Sequence, residues 1–316
     1  MRRQRIAVIG GSGFIGTYVA EHLVRKDVEL TIATRWREAG KARLALLPKV
    51  ELTPVDTTNQ AALTALLTGH DAVVSMVGIL HGSRRDFESA HVELVDRIVT
   101  ACRTTGISRL VHISALGSDP EGPSLYQQSK GHGEQVIMAS NLDWTILRPS
   151  VVFGRGDSFL TMFARLAKQL PVLPLAGAST RFQPVWVDDV ARAVVACLER
   201  DATIGQKLEL AGPKVYTLAE LVDYIAHLTG HPRPIIGLPA PLAYLQAALM
   251  ELAPGKPLMS RDNVRSLSVD NVSSSPFPSE LLGFVPTALE AVVPGYLAGD
   301  EFNATLARYR EKAGVR

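Results

Sequence analysis

In Tyr126-Gln-Gln-Ser-Lys130 a phenol and an ammonium stand four residues apart. On a helix that spacing puts both groups on one face. A phenol with its ordinary pKa of about 10 is a poor base at neutral pH, and a neighbouring ammonium lowers that pKa by favouring the phenolate. The pair therefore reads as an acid/base phenol, Tyr126, with Lys130 as its electrostatic partner. Such a pair suits proton exchange with a carbonyl or alcohol oxygen while a hydride passes to or from a nicotinamide. A Tyr-x-x-x-Lys match is common by chance, so its weight depends on whether the surrounding elements build a dinucleotide site.

The strongest local signal for such a site is Gly10-Gly11-Ser12-Gly13-Phe14-Ile15-Gly16, which follows a strand pattern and opens a helix pattern. A turn of this kind lets the backbone approach a pyrophosphate, whose charge then sits at the positive end of the helix. Gly16 lets helix and strand pack closely. The bland alternative is a tight strand–helix turn; the flanking strand, the flanking helix and the N-terminal position favour nucleotide binding. At the end of the second strand the chain reads Thr31-Ile-Ala-Thr-Arg35-Trp-Arg37, with no carboxylate to accept ribose hydroxyls. Arg35, with Arg37 beside it, is instead suited to a 2′-phosphate and to stacking on adenine, so NADP(H) is expected over NAD(H). The alternative for Arg35 is a solvated strand-end charge. Asp56, after the third strand, reads as a partner of the adenine amino group, with a helix N-cap role for Asp56 or Thr57 nearly as good. Val77 and Gly78, ending the fourth strand, join the expected cofactor-facing set.

The elements that must position these groups alternate. Strand-like runs fall at Arg5–Gly10, Val28–Thr34, Val50–Val55, Ala72–Val77, Leu110–Ser114 and Trp144–Leu147, each followed by helical spacing such as Val92, Val95, Ile98 and Val99. Runs as continuous as Ala7-Val8-Ile9 and Ala72-Val73-Val74 are buried on both faces, which predicts a parallel sheet with helices on either side. The fold class is α/β: a Rossmann-type, doubly wound dinucleotide-binding domain over residues 1–150. Frequent prolines then break the rhythm, and residues 151–316 read as a smaller mixed α/β C-terminal lobe for a substrate or partner. Phe182–Val187 reads as a strand that brings residues 182–200 back to the first domain. Val190–Glu199, Leu218–Leu228 and Leu242–Leu252 read as helices, and Val272–Ser279 as a loop.

Together these residues resemble the short-chain dehydrogenase/reductase superfamily, in its extended and atypical, epimerase/dehydratase-like branches. The resemblance rests on Gly10–Gly16, Leu110-Val-His-Ile-Ser-Ala115, Tyr126 with Lys130, Leu147-Arg-Pro-Ser-Val-Val-Phe-Gly154 and Gln183-Pro-Val-Trp-Val-Asp-Asp-Val190. More narrowly, His112–Gly117, Trp144–Asp157 and Leu258-Met-Ser-Arg-Asp-Asn263 look like the nucleotide-binding accessory subunits of respiratory complex I and their bacterial relatives. The resemblance implies that Tyr126 exchanges a proton with substrate, that Lys130 holds the nicotinamide ribose, and that main-chain groups from Pro149 to Val152 face the carboxamide, with Phe153 as a wall. Two positions depart from the pattern. Ser114 stands one place before the family's oxygen-orienting hydroxyl, where Ala115 stands instead, and His91 replaces the usual asparagine. Losing one oriented donor costs on the order of 10²–10³ in rate. In the accessory subunits the resemblance implies a bound dinucleotide with a structural role.

Composition removes other classes. Thirty-three basic against thirty-one acidic residues leave no large basic face, so no nucleic-acid partner is expected. Two cysteines, Cys102 and Cys197, and eight scattered histidines offer no disulfide scaffold and no metal-ligand spacing. His112 reads as a packed strand imidazole and Asp188-Asp189 as helix N-capping acids. Arg148, Arg155, Arg165, Lys168 and Arg181 are the candidates for gripping a sugar diphosphate, and a nucleotide-sugar epimerase or dehydratase ranks below an oxidoreductase acting on an apolar carbonyl or quinone-like substrate, and below a non-catalytic accessory protein. No signal peptide and no membrane span are read, and the location expected is cytoplasmic, with association to a membrane surface or respiratory complex left open. Leu242, Leu245, Leu249 and Leu252 form an apolar stripe whose default is core packing, with docking as the alternative.

Overall fold

The computed structural model describes residues 3–34, 44–252, 255 and 257–298. Its centre is a seven-stranded sheet, built from β1 (Arg5–Ile9), β2 (Glu29–Thr34), β3 (Val50–Pro54), β4 (Ala72–Ser75), β5 (Arg109–Ile113) and β6 (Asp143–Pro149), with a further strand from the C-terminal half. The short pieces β7 (Val152–Phe153), β8 (Leu173–Ala176), β9 (Arg181–Phe182) and β10 (Val185–Trp186) follow, then β11 (Gln206–Leu210), β12 (Tyr216–Thr217) and β13 (Ile235–Leu238). The order across the large sheet is β11-β6-β5-β4-β1-β2-β3, all pairs parallel. The winding reverses between β1 and β4, which opens a crevice at the carboxyl ends of those strands.

Alternation along β1 explains the two layers. Ile6 and Val8 pack with Val19 and Leu23 of α1 (Phe14–Val24), whereas Ala7 and Ile9 pack on the other face with Leu63 of α2 (Gln60–Leu67). After α3 (Arg84–Glu88) one π-helical turn, Ser89–Glu93, leads into α4 (Leu94–Thr105), whose Val95, Ile98 and Val99 complete that second layer. The helix that bears the Tyr-x-x-x-Lys pair is α5 (Leu125–Met138).

Residues Phe182–Val187, expected as one returning strand, are divided instead. β9 pairs antiparallel with β12 and β10 pairs parallel with β7, on either side of Pro184, which cannot donate to a central ladder. What rejoins the large sheet is the next unit. After α6 (Phe159–Gln169), α7 (Val187–Glu199) lays Val190, Ala191 and Val194 into the α1 layer, and β11 then pairs with β6. Trp186 is the N-cap of α7, without a side-chain hydrogen bond, so Asp188 and Asp189 do not cap it; they sit in its first turn. Asp188 meets His22 of α1 at 2.7 Å, and buried Asp189 accepts from the Thr287 amide at 2.6 Å.

The remaining elements are α8 (Leu218–Leu228), α9 (Ala240–Leu252), α10 (Arg261–Ser266) and three single turns at Ser279–Leu282, Leu289–Val292 and Pro294–Leu297. Of these, α8 and the turns at Leu289–Val292 and Pro294–Leu297 join a separate core in which Phe153, Phe163, Phe182, Leu221 and Ile225 meet, whereas α9 and α10 pack in a small cluster of Ala176, Ala243, Ala247 and Val264.

The β6–β11 edge is fastened by one guanidinium. Arg109 of β5 donates to the Asp143 carbonyl at 2.5 Å, to Thr145 Oγ1 at 2.8 Å, to Thr203 Oγ1 at 3.1 Å and to the Cys197 carbonyl. Replacing it with methionine leaves those acceptors without their cation. Arg109→Met is therefore expected to cost about 2–3 kcal/mol, read as a lower urea midpoint by circular dichroism.

Candidate functional site

The glycine loop fills the crevice mouth with backbone. Gly10 has φ of 87°, a left-handed value, and a Cβ there would lie 3.0 Å from the Val77 amide nitrogen. A side chain on Gly11 would meet Val8 at 2.7 Å and Ile32 at 2.9 Å, and one on Gly16 would collide with the Gly11 backbone. Ser12 and Gly13 complete the turn. α1 starts from Gly13 with no side-chain cap and no acidic residue in its first turn, so Phe14, Ile15 and Gly16 present an uncompensated positive helix end. A Cβ at any of these three glycines would break the close packing of the loop on the sheet and of α1 on the loop, and it is that tight turn which leaves backbone amides at the helix start for a diphosphate.

Arg35 and Arg37 lie outside the described residues. The Asp56 carboxylate takes the amide of Thr58 at 2.9 Å and its hydroxyl at 2.7 Å, contacts that hold its pKa below the usual carboxylate range. Asn59, not Asp56 or Thr57, caps α2 by accepting from the Ala62 amide at 3.0 Å. Asp56 is thus left exposed at the carboxyl end of β3.

Ser124 caps α5, on which Lys130 reaches the ends of β4 and β5 while Tyr126 packs against Phe87 and His91. Lys130 is buried, and its Nζ donates to the carbonyls of Ile113 at 3.1 Å and Val77 at 3.4 Å. Burial lowers its pKa to about 8, with Glu134 one turn further along opposing the shift. Burial pushes the Tyr126 phenol up to about 12. The expectation that Lys130 would lower it does not hold, because the ammonium is engaged by strand-end carbonyls and desolvation of the phenol prevails. Gly78 sits against the lysine, with a Cβ there falling 3.5 Å from Nζ and 3.8 Å from His91 Nε2.

His91 is held by the π-turn. Its Nε2 accepts from the Ile79 amide at 3.0 Å, and its Nδ1 lies 2.8 Å from Ser129 Oγ, which itself donates to the Tyr126 carbonyl at 3.0 Å. Accepting at Nε2 fixes the proton of the neutral ring on Nδ1. Its ring meets Tyr126 edge-on, centroids 5.6 Å apart, with Phe87 alongside. Burial, and then the charge of Lys130, lower the His91 pKa to about 3.

Ser114, the candidate orienting hydroxyl, is committed elsewhere. It donates to Glu134 Oε1 at 2.5 Å and lies 3.0 Å from Ser118 Oγ, within a buried cluster closed by the Arg148–Glu134 ion pair. Pro149 and Val152 stand at the carboxyl end of β6 and on β7. The Pro149 carbonyl accepts from Leu116, and the Val151 amide donates to Asn271 Oδ1 at 3.2 Å.

Two contributors come from α10, in a stretch whose motif is visible in the sequence but whose role depends on distant contacts. Asp262 accepts from the amides of Leu125 at 2.8 Å and Tyr126 at 3.1 Å, clasping the start of α5. Asn263 donates from Nδ2 to the Leu80 carbonyl at 3.3 Å, bridging to the segment after Gly78.

A family model described as NAD(P)H-binding matches residues 10–201, which span the glycine loop, Tyr126, Lys130 and α7. The chain belongs to this NAD(P)H-binding family. It is 30% identical over 292 residues to the mitochondrial NADH dehydrogenase (ubiquinone) 1 alpha subcomplex subunit 9 of Mus musculus, covering 90% of this chain and 77% of the relative. It is thereby related to a complex I accessory subunit. Among solved structures its fold is similar to a nucleoside-diphosphate-sugar epimerase from Staphylococcus aureus, with TM-score 0.74 and 19% identity over 91% of this chain and 98% of that one. It is also similar to a Streptomyces venezuelae dTDP-glucose 4,6-dehydratase, DesIV, solved with NAD, with TM-score 0.73 and 19% identity over 94% and 96% of the two chains. The expected preference for NADP(H) over NAD(H) is corrected by such structures: five similar ones solved with a dinucleotide hold NAD.

The buried imidazole generates a pH-dependent stability. Below its ordinary pKa of 6.5 the unfolded His91 takes up a proton that the folded ring refuses until about 3. More protons on the unfolded chain mean that stability falls as pH falls through that window. His91→Asn is expected to flatten the decline between pH 6.5 and about 3, read from urea unfolding curves of both proteins at matched pH.

Proposed function

We propose that this chain holds NAD(H) as a lasting part of its architecture and serves as an accessory or assembly protein of a respiratory complex. The observation that carries this reading is the Ser114 hydroxyl, bound to Glu134 and Ser118 while Ala115 offers none and the Tyr126 phenol is pushed up to about 12. A carbonyl oxygen in this site would lack the second donor, a serine hydroxyl beside the Tyr126 phenol, and the phenol is held as a weak acid. The similarity to a complex I subunit over 90% of the chain supports the same reading.

In the proposed complex the Gly10–Gly16 loop and the start of α1 hold the pyrophosphate, and Lys130 the nicotinamide ribose. Pro149 and Val152 flank the carboxamide side, Val77 and Gly78 form the floor, and Asp56 stands at the adenine end. A nicotinamide supplies hydride chemistry when bound. Tyr126 and Lys130 on one face of α5 favour a second reading, a slow oxidoreductase acting on an apolar carbonyl or quinone-like substrate.

Two measurements separate these readings. Mass spectrometry of the full chain as purified is expected to find NAD(H), and added NADH is expected to raise the melting temperature of dinucleotide-stripped protein. A panel of carbonyls and quinones with NADH is expected to show no turnover that Tyr126→Phe abolishes. Turnover lost in Tyr126→Phe would establish the oxidoreductase instead.

A further inference from the structure

The helix α9 is turned inside out relative to an ordinary surface helix. Its small residues Ala243 and Ala247 pack inward on Ala176 and Val264, while Leu242, Leu245, Leu249 and Leu252 point outward at helical spacing, Leu252 being 82% exposed. Pro241 and Tyr244 join that exposed face. Leu258, between α9 and α10, and Leu80, whose carbonyl is bound by Asn263, add two more exposed leucines beside it. An apolar face this continuous marks a contact surface.

Charge points to the occupant. No charged residue occurs from Pro234 to Met250, while residues 233–266 carry four basic residues, Arg233, Lys256, Arg261 and Arg265, against two acidic ones, Glu251 and Asp262. Both carboxylates are engaged: Glu251 accepts from Arg261 Nε at 2.8 Å, and Asp262 holds the start of α5. Glu251 offsets Arg261 and Asp262 lies 4.0 Å from Arg265, so the segment keeps an excess of two basic residues in its sequence, and an uncharged leucine face in such a segment complements an apolar layer rimmed with anions. Thirteen residues make a helix of about 20 Å, too short for a hydrocarbon core of about 30 Å, and among the described residues no helix is long and apolar enough to cross a membrane.

We infer that α9 is a membrane-surface anchor, lying in the plane of an anionic lipid bilayer with its leucine face inserted. This surface does not rest on what the bound dinucleotide does, and the two readings fail separately. Through α10 the anchor adjoins the Asp262 clasp, so docking places the mouth of the Tyr126 site close to the lipid.

The full chain is expected to float with vesicles of phosphatidylcholine mixed with phosphatidylglycerol, and less with phosphatidylcholine alone or at high salt. Replacing two exposed leucines, in Leu245→Gln with Leu249→Gln, is expected to weaken flotation by at least about tenfold. Melting temperature and NADH binding should stay unchanged, since neither side chain is in a core. A wild-type chain that stays unbound, or a double variant that floats equally well, overturns the anchor. So does wild-type self-association that the double variant loses in sedimentation without any vesicle binding, which would assign the face to a second copy.

Discussion

The buried ammonium of Lys130 is the constraint around which the site is arranged. A cation out of water must be met by oriented acceptors, and the strand ends of β4 and β5 supply them through the Val77 and Ile113 carbonyls. Its neighbours are accordingly small, neutral or negative. Gly78 leaves room at the ammonium, His91 is kept uncharged, and Glu134 lies one turn along the same helix. Glu134 in turn is shared with Arg148 and Ser114, which draws Ser114 into the electrostatic support of the lysine.

The same helix carries Tyr126, so whatever holds α5 holds the phenol. Gly133 packs against the His91 carbonyl of the π-turn, and Gly131 against the Asp119–Pro120 backbone, so two flat sides of α5 lie on main chain. Such backbone-on-backbone contacts set position closely because no rotamer can absorb a shift. Rigidity of this kind suits a site that retains its ligand.

Much of the fold was legible because its signals are local. β-rich runs marked the first six strands, those of β1 and β4 holding apolar stretches without a break and buried on both faces, and the glycine loop and the Tyr126–Lys130 spacing fall where the sheet places them. The seventh strand was hidden, since Gln206-Lys-Leu-Glu-Leu210 pairs on one side alone, keeps its first two residues exposed and reads as polar. Direction was also beyond reach at Ser114, whose facing is decided by Glu134 and Arg148, twenty and more residues away. The Tyr126 pKa went the opposite way because spacing reveals which charges are near but not how dry the site is. The stripe on α9 was readable as a pattern; that its alanines rather than its leucines face inward was decided by the surface it packs on.

The clasp at Asp262 has a consequence for how the two lobes can part. Its two carboxylate oxygens take the amides of adjacent residues, Leu125 and Tyr126. Both bonds run through one side chain, so α10 cannot leave the start of the Tyr126 helix without giving up both. A single carboxylate thus ties the C-terminal lobe to the element that bears the phenol.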